Sequence, residues 1–174
     1  MEITRLVKRA KRKDADAFTE LMESQMQNMY KVARSILSRD EDVADAISDT
    51  ILVCWEKIDT LKKNRFFRTW MTRILINKCN DILRAGQRTV FTDEPLEIEY
   101  MENEFLNLEW KEMLQSLDEK YRIVLLLYYG EGFSIKEIAQ ILELTESAIK
   151  SRLSREREQV KQEYNAGGIC HEKS

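Results

Sequence analysis

Proline and glycine are nearly missing from this chain of 174 residues, which has one proline, Pro95, and five glycines. Together they are about 3% of the residues, where an average protein has roughly 12%. Hairpins and tight turns draw on both residue types, so an all-β sandwich or barrel is close to excluded. Cysteine is scarce too. Cys54, Cys79 and Cys170 are odd in number and form no CxxC pair, which argues against a disulfide framework and against a cysteine zinc site. No run approaches the roughly 18 consecutive apolar residues that a membrane helix needs, so no membrane insertion is expected. The basic start (Lys8, Arg9, Lys11, Arg12, Lys13) leads into Asp14 without the apolar core of a secretory signal. These absences point to the reducing cytoplasm.

Histidine is represented by His171 alone, beside Cys170 and after Gly167 and Gly168, in a stretch (165–174) that reads as a flexible tail. One isolated histidine permits no Ser/His/Asp set, and no phosphate-binding glycine motif occurs. The expectation is that the chain is not an enzyme and holds no cofactor or metal.

What is abundant is helix-compatible: 43% hydrophobic and 34% charged residues suit a soluble, strongly helical protein. Net charge is −3, which alone would argue against a nucleic-acid binder. The charge is unevenly spread, however. Residues 1–84 hold 17 Lys+Arg against 13 Asp+Glu, residues 85–106 hold 1 against 6, and residues 107–174 hold 10 against 12. The acid is concentrated between two better-balanced halves, and Gly86 and Pro95 fall in the same stretch. Together these features mark an interdomain linker of about 20 residues; a long surface loop within one domain is the other reading.

In the first half, Phe18, Leu21, Met22, Met29, Val32, Ala33, Ile36 and Leu37 recur three or four apart and predict an amphipathic helix from Asp16 to Leu37, capped by Asp14 or Asp16. A second helix fits Glu41 to Ile58, with Val43, Ala46, Ile47, Ile51, Cys54 and Ile58 buried and an acidic surface of Asp42, Asp45, Ser48 and Asp49. A third runs from about Phe66 to Arg84, burying Phe67, Trp70, Met71, Ile74, Leu75 and Ile82 and showing Arg73, Asn77, Asn80, Asp81 and Arg84. The connection Thr60–Arg65 is short and basic. Three helices with short links make a bundle. Its basic connection and Arg/Asn-bearing helix could hold single-stranded nucleic acid, or could simply solvate the surface.

In the second half, Leu106, Leu108, Trp110, Met113, Leu114 and Leu117 predict a helix, and Asp118 is placed to cap the next. Tyr121 to Tyr129 reads as a buried helix on the spacing of Tyr121, Val124, Leu125 and Tyr128, stopped by Gly130 and Gly132. Ser134 and Glu137 have capping-box spacing ahead of Ile138, Ala139, Ile141 and Leu142. Thr145 can cap a last helix bearing Ile149, Leu153 and Val160. A short helix, a turn of about three residues and a second helix form the helix-turn-helix pattern. The exposed face of the second helix would carry Glu146, Ser147, Lys150, Ser151, Arg152, Arg155 and Glu156. Lys and Arg there can bond guanine edges and phosphates in a major groove. An ordinary helical hairpin, or a helix-turn-helix used for protein contacts, would show the same pattern.

The run Asp42-Val43-Ala44-Asp45-Ala46-Ile47-Ser48-Asp49-Thr50, followed by Trp55, resembles the region 2.2 helix of bacterial RNA polymerase sigma factors of the extracytoplasmic function (ECF) group. Phe67, Trp70, Met71, Ile74, Asn77, Asp81 and Arg84 are spaced as in that family's region 2.3–2.4 helix. Leu117, Tyr121, Arg122, Val124 and Leu127, then Gly132-Phe133-Ser134 with Glu137-Ile138-Ala139, then Ile149 to Arg155, are similar to its region 4. Two motif sets in the right order cover nearly the whole chain. Ser48 and Ile51 stand where the family usually has Gln and Phe, and Glu143 occupies the place of its turn glycine. Glu143 would therefore have to accept a left-handed turn or distort it, at a cost of about 1 kcal/mol.

The resemblance implies an all-α fold with two helical domains: a region 2 bundle at 1–86, an acidic linker at 87–106, and a region 4 helix-turn-helix domain at 107–164. It implies an alternative sigma factor that binds core RNA polymerase and directs initiation at −10 and −35 promoter elements. Asp42, Asp45, Ser48, Asp49 and Trp55 would dock on the β′ clamp helices, and the polymerase β flap would be a second contact. Lys62, Lys63, Asn64 and Arg65 would take a flipped −10 base, with Arg73, Asn77, Lys78, Asp81 and Arg84 along the path of the non-template strand. Ser147, Lys150, Ser151, Arg152 and Arg155 would read the −35 duplex. An anti-sigma factor, often membrane-anchored in this family, would hold the protein inactive, in some cases at the inner face of the membrane. The net-acidic free chain should bind promoter DNA poorly, because phosphate neutralisation supplies most non-specific affinity. The competing expectation is a stand-alone helix-turn-helix regulator or a helical adaptor protein.

Overall fold

A computed structural model describes residues 2–86 and 117–155. The chain divides into two compact units. Among the described residues every regular element is a helix or a helical turn. The linker, the predicted helix of Leu106, Leu108, Trp110, Met113 and Leu114, and Val160, Glu156 and the tail lie outside the described residues.

The N-terminal unit holds four helices where the sequence pattern predicted three. The additional one, α1 (Glu2–Ala10), buries Leu6, Val7 and Ala10. The turn after α1 passes through Lys13, whose φ of 64° is left-handed, and Arg9 of α1 reaches Asp14 at 2.8 Å. Asp14 then caps α2 (Ala15–Ile36) by accepting the Ala17 amide. That bond and Arg9 hold the Asp14 carboxyl below its usual range. α2 buries Phe18, Leu21, Met22, Met29, Val32, Ala33 and Ile36 as expected. Its buried Arg34 donates to the Ser38 carbonyl at 2.7 Å and pairs with Asp40 at 2.9 Å, which fixes the corner into α3 (Asp40–Lys57).

Along α3, Val43, Ala46, Ile47, Thr50 and Cys54 are buried, but Ile51 is only half-buried. Burial pushes the Cys54 thiol up to about 12. After a 3₁₀ turn at Ile58–Thr60, buried Leu61 and a second turn at Asn64–Phe66 lead into α4 (Phe67–Gly86). α4 buries Phe67, Met71 and Leu75 but leaves Trp70, Ile74 and Ile82 half-buried; Ile76 and Cys79 take their place inside. The inward stripe of α4 is thus rotated from the predicted one, because α2 and α3 both pack on it.

The second unit is described from buried Leu117 onward. Asp118 stands at the N-cap of α5 (Glu119–Leu125), yet it caps with its backbone carbonyl and not its side chain. The single predicted helix to Tyr129 is two elements: α5 passes into a wider π turn at Leu126–Gly130, closed by the Glu131 amide on the Leu126 carbonyl at 2.9 Å. Ile123 to Leu127 are buried, whereas Tyr121 and Tyr128 are half-exposed. A Cβ at Gly130 would approach the Leu126 Cδ1 to 2.9 Å, and Gly132 has a φ of +72°, so both positions suit glycine. α6 (Ile135–Leu142) opens with the full Ser134/Glu137 capping box. Glu143 ends it in the left-handed region, at φ 56° and ψ 41°. Thr145 accepts the Ala148 amide at 3.1 Å, capping the helix that spans 146–155, α7. Ile138 and Ile141 of α6 and Ile149 and Leu153 of α7 are buried.

Candidate functional site

Three surfaces carry the predicted site residues. On α3, Asp45, Ser48 and Asp49 are exposed along one side, with Asp42 half-buried a turn earlier. Leu52 lies in the middle of that side and is 60% exposed, the most open large hydrophobic side chain among the described residues. The sequence pattern missed it; its signal was a leucine standing outside the three-four spacing of the buried positions. Trp55 is engaged inside its own unit. Its ring meets Phe18 edge-on at 4.9 Å, Lys13 Nζ sits 5.1 Å from its centroid, and its carbonyl accepts that same ammonium at 2.9 Å. Trp55 is accordingly half-buried.

The second surface is the α3–α4 connection. Lys62, Lys63 and Arg65 are exposed and Asn64 is half-buried. Leu61 is buried beneath them, and its carbonyl accepts Lys11 Nζ. Arg65 stacks over the exposed Phe66 ring at 4.7 Å. With Thr4 of α1, these loop residues line an open depression of about 500 Å3. On α4 beyond it, Arg73, Asn77, Asp81 and Arg84 are exposed in one stripe, with Asp81 and Arg84 3.8 Å apart. Lys78 is half-buried and lies about a third of a turn away from that stripe, so the structure does not group it with them.

The third surface is α7. Ser147, Lys150 and Ser151 face solvent. Arg152 is half-buried and Arg155 exposed, and both are tied to α5: Arg152 Nη1 donates to the Lys120 carbonyl at 3.4 Å, and Arg155 Nη1 donates to the Tyr121 hydroxyl at 3.3 Å. The Arg155 bond lowers the Tyr121 pKa, aided by Lys120, and raises that of Arg155. Tyr121 was read from sequence as a core residue; the structure makes it a neighbour of the exposed cations.

An acidic face, a basic loop with an exposed aromatic, and a capped helix-turn-helix on one chain suit binding rather than bond chemistry. Among the described residues no group of His, Cys, Asp and Glu could hold a metal, and no helix is long and apolar enough to cross a membrane.

Residues 21–89 match the family pattern for Sigma-70 region 2, and residues 107–160 match that for Sigma-70, region 4. The ECF RNA polymerase sigma factor SigW of Bacillus subtilis (strain 168) is 26% identical over 181 residues, spanning 94% of this chain and 97% of SigW. The chain is an ECF sigma factor of the sigma-70 family. Among solved structures, CnrH in complex with the cytosolic domain of CnrY superimposes with a TM-score of 0.70 at 27% identity, covering 95% of this chain and 99% of CnrH. The sigma factor RpoE of Bartonella quintana, crystallised with the anti-sigma factor NepR, shares the fold at the same TM-score of 0.70 and 23% identity, over 83% and 94% of the two chains. As a sigma factor this protein is a transcription initiation factor and not an enzyme. RNA polymerase and promoter DNA are its partners as a member of that family.

Proposed function

We propose that this sigma factor docks on the β′ clamp helices of core polymerase through Asp45, Ser48 and Asp49 around Leu52, with Asp42 and Trp55 at the margin. The observation that carries this is an exposed leucine ringed by acidic and polar side chains on one helix face. Such a surface buries an apolar anchor in a protein partner and repels DNA phosphates. Lys62, Lys63, Asn64 and Arg65 then take an unstacked −10 base. Arg73, Asn77, Asp81 and Arg84 line the non-template strand, and Lys78 contributes from its flank. Ser147, Lys150 and Ser151 read the −35 duplex while Arg152 and Arg155 hold its backbone. The boundaries proposed for these modules are 1–86, 87–106, 107–164 and 165–174. The acidic linker threads toward the RNA exit channel and the second module rests on the β flap.

Control by an anti-sigma factor is supported by the two structural relatives, one held by CnrY and the other by NepR. An inhibitor of that kind, itself membrane-anchored, would keep the protein in the cytoplasm at the inner face of the membrane. The test is co-purification with core polymerase, followed by run-off transcription on genomic fragments. Initiation at new start sites supports the reading; a polymerase that neither retains the chain nor changes its start sites overturns it.

A further inference from the structure

Helix α1 lies before the region 2 match, which begins at residue 21, yet it is built into the base-binding loop. Leu6, Val7 and Ala10 are buried, α1 packs on the Asn64–Phe66 turn, and Lys11 Nζ bonds the Leu61 carbonyl. Thr4, two turns before Lys11, is thereby held at the rim of the depression lined by Lys62, Lys63, Asn64 and Arg65. Three of these five residues are cations and none is acidic. Cations grip phosphates and position a strand, whereas selection among bases requires hydrogen bonds to base edges. Only Thr4 and Asn64 offer neutral donor-and-acceptor groups there. The hydroxyls of Thr19 and Thr60 are spent on the carbonyls of Ala15 and Lys57, whereas that of Thr4 has no partner among the described residues.

We infer that Thr4 is a specificity-determining residue of this pocket, its hydroxyl bonding the polar edge of the unstacked DNA base that the loop takes up. Thr4's role rests on the loop's own, proposed above. α1 thus contributes Thr4 to the lining of the site, alongside Asn64 of the loop.

The test uses the full chain with core polymerase on a library of promoter fragments randomised through the −10 element, with the transcribed fraction sequenced. Thr4→Val removes the hydroxyl while keeping the shape, and Thr4→Ser keeps the hydroxyl. The expected result is a change in base preference of about fivefold at one −10 position for Thr4→Val, the worth of one hydrogen bond. Thr4→Ser should retain the wild-type preference, and preference at −35 should not move in either variant. Identical −10 preferences in all three proteins would overturn the inference, as would a uniform fall in transcription at every promoter. A wild-type chain that initiates nowhere would instead overturn the assignment of the loop. Because Thr4 is exposed, both variants should keep the helical circular dichroism of the parent.

Discussion

Arg155 of α7 donates from Nη1 to the Tyr121 hydroxyl of α5 across 3.3 Å, and Lys120 stacks on the same ring at 4.9 Å. That bond uses one guanidinium N–H, and among the described residues no other partner engages the rest of the fork, which can bond a phosphate. A guanidinium already held in place loses less side-chain entropy on binding than a free one. On the −35 role proposed for Arg155, Tyr121 would be its positioning residue and would reach DNA only through it.

Two variants separate the roles. Arg155→Ala should lower the slope of log affinity against log salt by about one for holoenzyme on a −35-bearing duplex, since one phosphate contact is lost. Tyr121→Phe should keep that slope and weaken binding about two- to fivefold, with the ring and its packing intact. Filter binding across a salt series reads both. Unchanged affinity in Tyr121→Phe would leave the hydroxyl without a role.

Leu52 gives the second prediction. Its side chain is 60% exposed, so Leu52→Ala costs the isolated fold little, within about 0.5 kcal/mol as for other surface positions. At the centre of the proposed docking face the same truncation should be felt as a lost anchor, about tenfold in affinity for core polymerase. Competition against unlabelled wild type for limiting polymerase measures it. Equal competition by the variant would move the docking face elsewhere on the unit.

Much of this was legible because capping chemistry is local. Ser134 with Glu137, Asp14 and Thr145 each declare a helix start within three residues, and each does cap one. Asp118 fails by the same rule, since its backbone serves the first turn and leaves the carboxylate out. Helix α1 was legible by the spacing that marked α2 and was missed: Ile3, Leu6, Val7 and Ala10 recur three or four apart among Arg5, Lys8 and Arg9, and α2 packs on the helix. The other missed features depend on tertiary partners. Trp55, expected to face a partner, is drawn in by Phe18 and Lys13, across 37 and 42 residues of sequence, while Leu52, for which the pattern made no expectation, lies exposed. No spacing rule sees such distances. Tyr121 likewise looked apolar until α7 brought Arg155 to its hydroxyl.

Cys54 and Cys79 are buried and neither is in a disulfide. Thiol reagents attack the thiolate, and burial raises the Cys54 pKa from 9.0 to about 12. Native protein treated with iodoacetamide at pH 8 should leave both unlabelled by peptide mass spectrometry until denaturant is added. A raised folded pKa stabilises fully below the unfolded value, and that stability drains away as pH rises from 9 toward 12. The stability of the wild type relative to Cys54→Ala should therefore fall over that interval, by at most about 1.4 kcal/mol per pH unit. A flat difference would mean that Cys54 ionises in the fold as it does in the open chain.

Glu143 carries the backbone strain of the turn. Its φ of 56° ends α6, while its own amide and that of Leu144 both reach the Ala139 carbonyl. These two hydrogen bonds of the turn come from the backbone and are available to any residue. A Cβ in this region costs about 1 kcal/mol, and glycine relieves it at the expense of a more flexible unfolded chain. Glu143→Gly should raise unfolding stability by about 0.5 kcal/mol, with a higher urea midpoint and an unchanged slope. Glu143→Ala, which keeps the Cβ and loses the carboxylate, should not reproduce the gain. If alanine stabilises as well as glycine does, the liability at this turn is the charge and not the left-handed backbone.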